Sequence, residues 1–120
     1  MALSKQSKQE MIQRFLVTKQ KAHNLEIDLR FKGKSEDADK VAKKTAELSG
    51  KIDALLVSVI DNWLGRKDVI IQGIKEANTS LQKSIRQIQN DVETAKNIER
   101  AIGYIDDVVV IAAKIASAIS

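Results

Sequence analysis

The stretch KDVIIQGIKEANTSLQKSIRQIQNDVETAKNIERAIGYIDDVVVIAAKIASAI, residues 67–119, decides the fold. Its stripe residues return at helical spacing, as Ile74, Asn78, Leu81, Ile85, Ile88, Val92 and Ala95, then as Ile98, Ile102, Ile105, Val109, Ala112, Ala116 and Ile119. No proline interrupts it, nor any other part of the 120 residues. The pattern predicts one very long helix over about 68–119. Between Ala95 and Ile102 the steps are 3 then 4 where 4 then 3 is due, a phase shift that overwinds a coiled coil locally. Gly103 follows closely, so a bend is expected within 96–104, with a full break near Gly103 as the alternative. Asn78 reads either as a polar residue that fixes register in a seam or as an exposed one where the stripe drifts off the core.

Working back toward the N-terminus, Trp63-Leu64-Gly65 marks a turn, with Gly65 ending one helix and Asp68 able to cap the next. The connection is short, so the helices on either side are expected to lie antiparallel. The preceding helix, about 36–64, carries the stripe Ala38, Val41, Thr45, Leu48, Ile52, Leu55 and Val59. A flanking row of Ala42, Ser49, Leu56 and Trp63 widens its apolar face, and Gly50 inside it costs about 1 kcal/mol relative to Ala. Glu36, Asp37 and Asp39 suit its first turn, where the helix dipole favours negative charge, and Ser35 is placed to cap it. Gly33 makes the break before it.

The first helix, about 7–30, opens on a capping box at Ser7-Lys8-Gln9-Glu10 and buries Met11, Phe15, Thr18, Ala22, Leu25 and Leu29. From Asn24 to Phe31 the chain alternates polar and apolar as a strand does. With no second strand to satisfy its backbone groups, helix is the better reading. The sum is an all-α chain, one domain over 1–120. It is expected as an antiparallel bundle of about three long amphipathic helices, packed like a coiled coil.

Chemistry is sought and not found. There is no cysteine, which removes thiolate nucleophiles, disulfides and Cys metal sites. His23 is the only histidine, too few for zinc or di-iron ligation. The glycines at 33, 50, 65, 73 and 103 are isolated and make no phosphate loop. Asp106 and Asp107 are adjacent, so on a helix they diverge by about 100° and cannot share a proton. No catalytic residue, metal ligand or cofactor is assigned, and a non-enzymatic protein is expected.

Residues 101–119 are apolar around most of the helix, with only Asp106, Asp107, Lys114 and Ser117 as a polar strip. Burying each Val or Ile contributes roughly 1.5–3 kcal/mol, so an uncovered tail is unfavourable. The expectation is a self-associating module, a dimer first, or one that docks on a partner helix. Its interface would comprise Ile98, Ile102, Ile105, Val109, Ala112, Ile115, Ala116 and Ile119, with Leu56 and Trp63 beside them. A membrane-active role is the alternative, although Asp106, Asp107 and Lys114 would each cost roughly 2.5–3.5 kcal/mol at a bilayer centre. With no apolar leader after Met1, the cytoplasm is the default location and non-classical export the other route.

Net charge is +4, with eleven Lys or Arg against six Asp or Glu in residues 1–44 and nine against ten in 45–120. The basic half ranks nucleic acid last among partners, because its cations do not make one face of the first helix and no aromatic is interleaved with them.

Trp63-Leu64-Gly65, set between two long helices, is similar to the turn of the WXG100 proteins, small bacterial helical hairpins that are exported by a dedicated system, often as dimers. The resemblance covers residues 36–120. It implies that Trp63 packs at a hairpin tip and Gly65 makes the turn, while Tyr104 is followed by Val108 where that family's export signal has an acidic residue.

Overall fold

A computed structural model describes residues 5–57 and 67–119, and within them the side chains of 9–56 and 69–117. It is all-helical, with four helices in place of three: α1 Lys5–Phe31, α2 Ser35–Val57, α3 Lys67–Gln89 and α4 Thr94–Ile119. The expected long helix over 68–119 is therefore corrected to two, and the two-helix hairpin implied by the Trp-x-Gly resemblance is three helices over the same residues. Trp63 and Gly65 lie outside the described residues.

The division falls at residues 90–93, ahead of the expected bend. Asp91 takes a left-handed backbone (φ 58°), its N–H donates to the carbonyl of Ile88 (3.1 Å), and the Val92 N–H donates to that of Gln87 (2.8 Å). These two bonds satisfy carbonyls that the end of α3 would otherwise leave free. Gly33 ends α1 in the same way, with φ 74° and bonds from Gly33 to Arg30 (3.1 Å) and Lys34 to Leu29 (2.9 Å). Asp is among the non-glycine residues that tolerate this conformation, so Asp91 turns the chain without a glycine, and Glu93 (φ 39°) follows it at positive φ. Buried Asn97 then reaches back, its Nδ2 donating to the carbonyls of Val92 (2.6 Å) and Glu93 (3.3 Å), and holds the start of α4 against the turn.

Gly103, by contrast, is an ordinary exposed residue inside α4, and a Cβ there would meet nothing within 4 Å. Gly103→Ala is expected to raise stability by about 1 kcal/mol, read as an upward shift of the denaturant midpoint. A bend at that glycine would give the opposite sign.

Two smaller boundaries also move. α1 starts at Lys5, so Ser7 lies inside the helix and not at its cap. Ser35 is the first residue of α2, and the capping carbonyl belongs to Lys34, which accepts from the Ala38 N–H (2.9 Å).

The helices run the length of a rod 48 Å long and about 20 Å wide. α1 packs on α2 and α3, α4 packs on α3 and α2, and α1 also touches α4 across the diagonal. Side-chain bonds between α1 and α3 join Thr18 to Asn78, Lys21 to Gln82 and Asp28 to Gln89, and the Lys32–Asp91 bond joins the turns that follow them. Both numbers rise together, so α1 and α3 are parallel neighbours. Lys44–Asp106, with Glu47 and Ala54 lining one groove with Val109 and Ala116, places α2 parallel to α4 in the same way. The molecule is thus two helical hairpins laid side by side with their turns at one end, so that α2 and α3 run in opposite directions across the diagonal while the neighbouring pairs α1/α3 and α2/α4 are parallel.

Two apolar clusters fill the interior. Met11, Phe15, Leu48, Leu55, Ile74, Val108 and Ile115 belong to the end away from the hairpin turns, and Leu25, Leu29, Val41, Leu81, Ile88, Ile98 and Ile105 to the end near them. Between them sits a polar layer. Asn78, 7% exposed, accepts a bond from the Thr18 hydroxyl on its Oδ1 (2.6 Å) and donates to the Arg14 carbonyl (3.3 Å). A buried amide satisfied by one particular partner fixes the axial register of α1 on α3. At the edge of the same layer Lys44 bridges to Asp106 (2.6 Å), and its hydrogen bond to that carboxylate outweighs the lowering by lost hydration and raises the lysine above its ordinary value.

Candidate functional site

The expected interface on α4 is largely interior. Ile98, Ile105, Val109, Ala112 and Ile115 are buried in the chain's own core, and Ile102 and Ala116 are half-buried against it. Ile111 is also partly covered, and Val110 is the large apolar side chain of that run left exposed. The side chains of Ile119 and Trp63 lie outside those described. Leu56, 52% exposed, is the other expected interface residue that faces solvent. The apolar surplus of the C-terminal helix is met by α2, α3 and the diagonal contact with α1.

Two surfaces remain, and α1 contributes to both. Its core stripe (Met11, Phe15, Thr18, Ala22, Leu25, Leu29) is fully buried. On the opposite side of the same helix, Leu16, Gln20, His23, Ile27 and Phe31 follow one another at steps of 4, 3, 4 and 4, a second stripe by the same geometry. All five are exposed, Phe31 at 88%. α1 is therefore apolar on two faces, only one of which its own chain covers. A sequence reading that assigns each helix a single face passes over the second.

The other surface is the cleft between α1 and α3, where the side-by-side hairpins meet most thinly. It is an open cleft of about 650 Å³, lined by Arg14 and Lys21 from α1 and by Lys75, Lys83 and Arg86 from α3, with no carboxylate among its lining residues. Asn78 also lines it, held from beneath by its bonds with the buried Thr18 hydroxyl and the Arg14 carbonyl. Lys21 reaches Gln82 across it (2.5 Å). Among the described residues none of these five cations forms an ion pair, whereas Arg30, Lys32 and Lys44 elsewhere do. The Nε of Arg14 is buried with no hydrogen-bond partner. Unpaired like charges in one concavity focus a positive potential there.

The cleft also redistributes the charge. α1 and α3 together carry ten Lys or Arg against five Asp or Glu, while α2 and α4 carry seven against eight. The basic character is a layer of the fold, not the N-terminal half of the chain. Lys75, Thr79, Lys83 and Arg86 lie at steps of 4, 4 and 3, so one wall is a legible polar stripe. Its pairing with Arg14 and Lys21 depends on the parallel register of helices some sixty residues apart.

Among the described residues no group of three or more His, Cys, Asp or Glu is placed to hold a metal ion, and no helix is long and apolar enough to cross a membrane. Comparison with family models, curated proteins and solved structures finds no match.

Proposed function

We propose that the protein is a non-enzymatic helical interaction module that pairs with a second copy of itself through the outer face of α1. The observation that supports this is Phe31, 88% exposed at the end of a stripe that includes Leu16 and Ile27. Aromatic side chains, Phe among them, are enriched at protein interfaces relative to the rest of the surface. The stripe is also self-complementary. Two α1 helices laid antiparallel about a point between His23 and Asn24 set Leu16 against Phe31, Gln20 against Ile27 and Lys19 against Asp28 of the second copy. A two-fold contact requires this kind of reciprocity. In this reading Ile105, Val109 and their α4 neighbours are the scaffold that holds α1 rigid.

Light scattering over a range of concentrations tests it. The native chain is expected to approach twice its monomer mass, and Ile27→Asp with Phe31→Asp to remain monomeric with unchanged helicity. A native protein that stays monomeric at every concentration overturns pairing, and a variant that still dimerises moves the contact off α1.

A further inference from the structure

We infer that the cleft between α1 and α3 binds a compact, multiply charged phosphate ligand, clasped between Arg14 and Lys21 on one wall and Lys75, Lys83 and Arg86 on the other. Four observations meet there. The cleft has five cations and no lining carboxylate. None of the five is neutralised by an ion pair among the described residues. The buried Nε of Arg14 is a donor without an acceptor, a state that an oxyanion relieves. Asn78 in its lining is fixed by its bonds with Thr18 and Arg14, so the walls are held at a set separation before any ligand arrives.

The dimensions select the class of anion. A volume of about 650 Å³ is that of a small-molecule site. From Lys75 to Arg86 the α3 wall runs eleven residues, about 16 Å along the helix, so its cations can meet several phosphate groups and not one alone. The residues lining the cleft include no aromatic, so nothing there offers a stacking surface for a base. Two guanidinium groups suit bidentate contact with phosphate oxygens, and three ammonium groups add point charge. The ligand is thus read by its charge density. A free oligophosphate and a multiply phosphorylated lipid headgroup both carry this chemistry.

The probes are inorganic tripolyphosphate, and phosphatidylcholine vesicles with and without a phosphatidylinositol bisphosphate. Tripolyphosphate is expected to raise the melting temperature of the full chain in a concentration-dependent way, with an affinity that weakens as salt is added. Lys83→Gln with Arg86→Gln is expected to weaken binding by roughly tenfold for each cation removed. The same variant is expected to melt no lower than the native chain when no anion is present, because it removes repulsion and no core contact. Lys40→Gln with Lys43→Gln, exposed on α2, is expected to bind as the native chain does. Vesicle sedimentation that depends on the phosphoinositide and is lost in the Lys83/Arg86 variant assigns the headgroup as source. Tripolyphosphate binding without sedimentation assigns the free oligophosphate. Absence of both, equal loss in the α2 variant, or tighter binding of a twelve-base DNA strand than of tripolyphosphate overturns the inference.

Discussion

Ile105→Asp together with Val109→Asp unfolds the monomer and does not simply separate copies of it. Ile105 is 0% and Val109 7% exposed, and they belong to different apolar clusters, Ile105 near the hairpin turns and Val109 toward the other end. The double variant therefore puts one carboxyl group at fully buried Ile105 and another at Val109, beside the groove that Lys51 and Glu47 of α2 also line. An uncompensated buried charge such as that at Ile105 costs roughly 3–5 kcal/mol, and with the lost packing at Val109 added this approaches the roughly 5–15 kcal/mol that holds a domain of this size together. Far-ultraviolet circular dichroism at micromolar concentration should lose most of its helical signal, with no cooperative melt. Were the variant to remain fully helical while its mass halved, α4 would be an interface and its assignment to the core would be wrong. The same substitutions on the outer side of α1, at Ile27 and Phe31, are expected to leave the helical signal intact, so the pair of experiments separates inside from outside.

That reversal shows where sequence reading stops. Periodicity is a local property, and it located the interior faces well. The stripe read for α1 is buried at every position from Met11 to Leu29, and the α2 stripe is buried at Ala38, Val41, Leu48, Ile52 and Leu55. The turn at 90–93 escaped because the apolar spacing passes through it in phase. Ile88, Val92 and Ala95 keep the 4 and 3 steps of a continuous helix, yet Val92 is 47% exposed in the turn and Ala95 faces solvent. Only the pair Asn90-Asp91 carries the signal, since these residues accept the left-handed conformation and are poor in helix interiors.

From that one turn the rest follows. A single unbroken helix has only the other two to cover it, and residues 101–119 then look too apolar. A fourth helix folded back onto α3 gains neighbours on three sides, and the same side chains become ordinary core. The cleft was illegible for a different reason, because Arg14 and Lys83 come together only through the register that Thr18 and Asn78 impose between α1 and α3.

Phe15→Ala and Phe31→Ala should differ by several kcal/mol although both remove one phenyl ring from one helix. Phe15 is fully buried within the cluster that includes Met11, Leu48, Ile52 and Ile74, and its truncation leaves a cavity that rigid neighbours cannot fill. The cost is roughly 3–5 kcal/mol, read as a large fall in denaturant midpoint at unchanged slope. Phe31, 88% exposed at the end of α1, has almost no surface to lose within the monomer, so its truncation should fall within about 0.5 kcal/mol at low concentration. Concentration then carries the functional content. If the outer face of α1 pairs with a second copy, the native midpoint rises as protein is added, because association stabilises the folded form by mass action. Phe31→Ala should flatten that rise, while Phe15→Ala should keep it, displaced to lower stability. A Phe31→Ala midpoint that climbs with concentration as steeply as the native one would show that the aromatic at the end of α1 anchors nothing, and the proposed pairing would have to be abandoned while the monomer fold stood.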